Sequence, residues 1–180
     1  AIKDRRDRIV VATKFGLVSH SGGGPGVTDS SAANVRAAVA WDGSRFLITG
    51  TSFPDFGLAL STPDGIGWAA YFLDYHLSLR SLAWTGSEFV AVGEFGSIHS
   101  SPDGVHWTKH ASPNRSNLTD VVWTGNGFLA VGAKGVVLSS ADGVAWSALS
   151  EGNRNAIADI AWNGSTYVAV GSVGTILTSP

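Results

Sequence analysis

Acids and arginines recur at matched places in this 180-residue chain. Asp120 and Asp159 each stand three residues before a tryptophan, and Arg115 and Arg154 each stand five residues before those aspartates. Glu94, Asp55 and Asp74 add acids near glycine-rich or loop-like stretches. Glycosidic-bond cleavage needs paired carboxylates, one as general acid and one as nucleophile or base. Glu94, Asp120 and Asp159 are the candidate catalytic carboxylates, and His76, beside Asp74 and Tyr75, is a candidate acid–base group. Phe53 and Phe56 could stack on sugar faces, with Asp55, Asp74, Tyr75, Arg115, Lys134 and Arg154 binding hydroxyls or an anionic group. The structural alternative is that these charges pair with one another and brace a cluster of loops. His20, His76, His99, His106 and His110 show no metal-ligand spacing, and no metal or cofactor is expected.

Composition narrows the frame around those residues. Charged residues are only 14% and glycine reaches 23 residues, a balance that suits short strands and tight turns better than amphipathic helices. A net charge of −2 supplies no basic field for nucleic acid. No apolar run reaches membrane-spanning length, and Ala1 to Arg8 is too polar for a secretory signal. Without cysteine there is no disulfide framework, so the compartment stays open with cytoplasm as the default. The chain also lacks methionine and is expected to begin inside a larger gene product.

The elements that must position the candidate residues are repeats. The seven tryptophans fall in two columns, Trp41, Trp84, Trp123 and Trp162, and Trp68, Trp107 and Trp146. Trp84-Thr-Gly-Ser-Glu-Phe-Val-Ala-Val-Gly93 reappears at Trp123 to Gly132 and at Trp162 to Gly171. Each 39-residue unit reads as four short apolar runs separated by turn residues. Four strands per unit at this period is the spacing of β-propeller blades, which bury their faces only by stacking on neighbours. The expected fold is therefore all-β, with about four blades over residues 35–180. Loops between blades, and between second and third strands, should share one mouth of the channel. Four extra residues between Gly50 and Gly57, around Phe53-Pro-Asp-Phe56, break the repeat at that mouth.

Thr62-Pro-Asp-Gly-Ile-Gly-Trp68, Ser101-Pro-Asp-Gly-Val-His-Trp107 and Ser140-Ala-Asp-Gly-Val-Ala-Trp146 resemble the Asp-box of sialidase-like propellers, with one residue fewer between Asp and Gly. That resemblance implies a structural turn between third and fourth strands, so Asp64, Asp103 and Asp142 are read as turn formers. No sialidase-type arginine triad with a tyrosine nucleophile is recognisable around Tyr71, Tyr75 or Tyr167.

Residues 1–34 differ. Arg5-Arg-Asp-Arg-Ile-Val-Val-Ala-Thr-Lys-Phe-Gly16, with Asn34-Val-Arg-Ala-Ala-Val39, resembles a fragment of the aldo-keto reductases, in which Lys14 would match the catalytic lysine. One strand of a barrel that needs about 250 residues cannot hold a dinucleotide, so reductase activity is rejected. The chain reads as a fusion of that remnant, through a Gly-rich linker, to the blades. Arg8 to Thr13 is expected to complete an open sheet edge, such as the outer place in blade four. About four blades per chain suggest an eight-bladed ring closed by a homodimer. Two functions stay open: a glycoside hydrolase acting on a carbohydrate ligand through mouth carboxylates, or a non-catalytic propeller binding glycan or protein.

Overall fold

In the computed structural model, which describes residues 38–52, 56–75, 78–150 and 155–179, each repeat unit is an up-and-down antiparallel sheet. Blade one holds β1 (Ala38–Trp41), β2 (Phe46–Ser52), β3 (Phe56–Thr62) and β4 (Ala69–Tyr75). Blade two holds β5 (Leu79–Trp84), β6 (Phe89–Gly93), β7 (Ile98–Ser101) and β8 (Thr108–His110). Blade three holds β9 (Leu118–Trp123), β10 (Phe128–Gly132), β11 (Val137–Ser140) and β12 (Ser147–Ser150). Blade four holds β13 (Ile157–Trp162), β14 (Tyr167–Gly171) and β15 (Ile176–Ser179), so it is three-stranded among the described residues. Residues 1–37, including Lys14 and the Arg8–Thr13 segment, lie outside the described residues.

The blades stack face to face, with the first strand of each beside the first strand of the next. A sheet covered on both faces needs apolar side chains at successive positions rather than alternate ones. Phe-Val-Ala-Val-Gly in β6 and Phe-Leu-Ala-Val-Gly in β10 are accordingly buried at every residue. Val90, Val92 and Ile98 of blade two meet Leu118, Val121, Phe128, Ala130, Leu138 and Trp146 of blade three. Leu129 and Val131 then meet Ile157, Ile160 and Ala169 of blade four. Leu47 and Ala59 of blade one pack on Phe89. The first tryptophan column closes the hairpin between first and second strands. Trp41, Trp84 and Trp123 pair in register with Phe46, Phe89 and Phe128, at ring centroid distances of 4.6, 4.2 and 4.6 Å.

The aspartate turns are local clamps. Asp103 Oδ1 accepts the Val105 and His106 N–H groups at 2.8 Å each, and Asp142 Oδ1 accepts those of Val144 and Ala145 at 2.9 Å each. These amides hold the Asp64, Asp103 and Asp142 carboxyls below their ordinary range. Trp107 and Trp146 donate Nε1–H to the Gly104 and Gly143 carbonyls at 3.1 and 2.8 Å. At Gly104 and Gly143 the chain is left-handed (φ 71° and 76°) and passes close to Leu47 and Val90 of the preceding blades. The turns therefore fasten one blade to the one before it.

Candidate functional site

An up-and-down sheet places its second-to-third turn at the same end as the link to the next blade. Backbone hydrogen bonds join those segments directly. Glu94 N–H donates to the Ser78 carbonyl at 2.9 Å, Ala133 N–H to Asn117 at 2.8 Å, and Ser172 N–H to Ala156 at 2.8 Å. Phe95 N–H donates to Asn117 Oδ1 at 2.9 Å, tying the blade-two turn to the loop before blade three. This cluster is the mouth, and the aspartate turns lie at the other end of the sheets. A groove of about 600 Å³ on blade one, lined by Arg45, Ser61, Pro63 and Trp68, is also at that far end.

Glu94 sits in the blade-two turn, where its Oε1 pairs with Arg80 Nη2 at 2.5 Å. Asp120 is at the inner edge of blade three. Its Oδ1 accepts Ser81 Oγ–H at 2.5 Å and its own strand's Val121 N–H at 2.9 Å, while Oδ2 accepts Ile160 N–H at 2.9 Å. Inner-edge amides have no ladder partner, so this carboxyl satisfies donors in β9 and β13 and joins β5 to them. Burial, together with a hydrogen bond to the Asp159 carboxyl, pushes Asp120 up to about 6. Asp159 is exposed on β13.

Arg115 is exposed on the link from blade two to blade three, and Lys134 is exposed at the blade-three turn tip. Phe56, Asp74 and Tyr75 belong to β3 and β4, where the backbones of Phe56 and Tyr75 pair. Phe53, Asp55, His76 and Arg154 lie outside the described residues. Among the described residues no group of three His, Asp or Glu side chains could hold a metal ion.

Two features of the mouth were missed by residue-type reasoning. Arg80 and Ser81 hold the candidate acids in place, and Ser81 stands in the same repeat column as Asp120 and Asp159, so the column carried that signal. The second feature is a row of turn tips. Phe95, Lys134 and Val173, spaced one repeat apart, all adopt left-handed backbone at φ 54°, 60° and 57°. That conformation costs an L-residue about 1–2 kcal/mol, and for a β-branched valine it is a genuine outlier. All three side chains are exposed, Phe95 at 69% and Val173 at 89%.

The Asp120 geometry predicts an inverted pH response. Its folded carboxyl titrates near 6 against an ordinary 3.8, so folding favours the protonated form. That contribution is complete below the unfolded value and is lost as pH rises through the folded one. Partial exposure reduces it, leaving an expected loss of about 1–2 kcal/mol between about pH 4.5 and 7.5. Urea unfolding at both pH values checks this. The difference should disappear in Asp120→Asn and shrink in Asp159→Asn; an unchanged slope in both variants would remove Asp120 as the cause.

No family model matches this chain, and no curated protein matches it. Among solved structures it is similar to YCF48 bound to D1 peptide, at 22% identity and a TM-score of 0.62, over 79% of this chain and 50% of that one. It is also similar to the computationally designed Ika8 protein, at 15% identity and a TM-score of 0.54, over 78% and 57% of the two chains. The WD40 β-propeller domain of Doa1 aligns at 12% identity and a TM-score of 0.43, over 81% and 64%. The match thus spans about half of YCF48 and under two thirds of the other two. With four antiparallel sheets stacked blade upon blade, the chain has the fold of a β-propeller.

Proposed function

We propose that this chain is a non-catalytic propeller module that binds an extended protein segment across the mouth. The carrying observation is the row Phe95, Lys134 and Val173, where one strained turn geometry repeats while the displayed side chain changes. Strain that recurs in three blades points to a use, and a different side chain at each tip is what recognition requires. Two further points support a binding rather than a hydrolytic role. Glu94 is engaged by Arg80 and Asp120 by three inner-edge donors, so these acids are committed to holding the mouth together. One similar propeller, YCF48, was solved with a peptide bound.

The tips describe the partner's chemistry. An apolar side chain meets Phe95, an acidic one meets Lys134, and a second apolar one meets Val173. Panning a displayed random-peptide library on the purified chain should select that apolar–acidic–apolar order. Selected peptides, measured by fluorescence polarisation, should bind Phe95→Gly at least about tenfold more weakly, since exposed aromatic anchors dominate such contacts. The same substitution relieves left-handed strain and should raise stability by roughly 1 kcal/mol. Equal binding to the glycine variant would refute the turn-tip site. Signal on a glycan array with no peptide selected would favour a carbohydrate ligand, and turnover of chromogenic glycosides would end the non-catalytic reading.

A further inference from the structure

The inner edge of the blades carries a repeating clasp. Ser81 Oγ of blade two accepts the Val121 N–H of blade three at 3.1 Å, and Asp120 Oδ2 of blade three accepts the Ile160 N–H of blade four at 2.9 Å. In each case the acceptor stands three residues before its own tryptophan, and the donor stands two before the next blade's tryptophan. Asp159 is the next acceptor in this series, and the described residues contain no fifth inner strand to meet it. The matching donor position in blade one, two residues before Trp41, is Val39, which is 65% exposed.

The apolar faces at the two ends follow the same logic. Leu129, Val131 and Val137 of blade three pack on blade four. Their repeat equivalents on blade four, Val168, Val170 and Ile176, are 41%, 43% and 67% exposed. At the other end Trp41 and Phe46, equivalents of the packed Trp123 and Phe128, are 47% and 41% exposed. The two bare faces are therefore the two halves of an interface that this chain already makes between its own blades.

We propose that blade four of one chain docks on blade one of a second copy, the Asp159 carboxylate accepting the Val39 N–H, so that two copies close one eight-bladed ring. The junction occurs twice about a two-fold axis and leaves neither apolar face in water. A closed rotation of this kind terminates at the dimer, whereas an unclosed one would grow into filaments.

Sedimentation equilibrium on the 180-residue chain tests this. The expected mass is twice 18.6 kDa over a wide range of concentrations. Val168→Lys, which charges the bare face of blade four, should give a monomer with its near-UV tryptophan signal retained. Asp159→Ala leaves the apolar faces intact and should weaken the dimer on the order of tenfold or more, with Asp159→Asn in between because its amide oxygen still accepts. A wild-type monomer would overturn the proposal, leaving residues 1–37 or another partner as the cover for these faces. So would a dimer indifferent to both the Val168 and Asp159 substitutions, or a mass that climbs past two copies.

Discussion

Trp146→Ala is expected to lower unfolding free energy by about 3–5 kcal/mol, the range for deleting a buried aromatic side chain. The indole is 8% exposed and lies in the core between blades two and three, with its ring centroid 6.1 Å from that of Phe128. Its N–H also closes the aspartate turn on the Gly143 carbonyl at 2.8 Å. Trp107, the same column one blade earlier, is only partly buried, so Trp107→Ala should cost less. Trp146→Phe keeps most of the packing and loses the hydrogen bond, for about 1 kcal/mol. Urea titrations following tryptophan emission would rank the three. A loss below about 1 kcal/mol for Trp146→Ala would mean that the interface between blades contributes little to cooperative unfolding.

Gly132→Ala adds one methyl group and should cost about 3 kcal/mol or more, because the overlap is with backbone that cannot swing aside. The backbone here is extended at φ −175°, so conformational preference is not the issue. The added carbon would overlap the Asn117 carbonyl oxygen and fall 2.9 Å from Leu118 Cα and 3.0 Å from the Asn117 carbonyl carbon. The chain comes this close so that Ala133 N–H can reach the Asn117 carbonyl at 2.8 Å, the bond that fixes the blade-three turn to the mouth. Gly93 and Gly171 make the same approach to Ser78 and Ala156. Gly125 is the contrast: at φ 92° with open space around it, Gly125→Ala should cost only the left-handed strain, about 1–2 kcal/mol. Thermal melts of the two variants decide it. The reverse ranking would mean that the link before blade three shifts freely, and with it the geometry proposed for peptide binding.

Much of the architecture was legible in the sequence because the forces that set it are local and repeat. A Ser-x-Asp-Gly turn closes on its own amides within three residues, and Trp123 meets Phe128 across one hairpin, so a periodic text reports both. The doubled apolar pattern of Phe-Leu-Ala-Val-Gly likewise announces a sheet covered on both faces. The acids of one repeat column suggested catalysis by residue type, whereas the partners that hold them lie in neighbouring blades. The partners of Asp120 are Ser81 and Ile160, each about one repeat away in a neighbouring blade, and their approach depends on how the sheets stack. Arg80 reaches Glu94 across fourteen residues because β5 and the blade-two turn converge at the mouth. The left-handed tips at Phe95, Lys134 and Val173 are equally invisible in a text that shows no glycine there. The sequence alone determined a stack of four-stranded blades and the local turns that join them. Only the tertiary structure decided which polar groups are already satisfied, which apolar faces remain bare, and which side chains the mouth presents, because each depends on the distance and angle between blades.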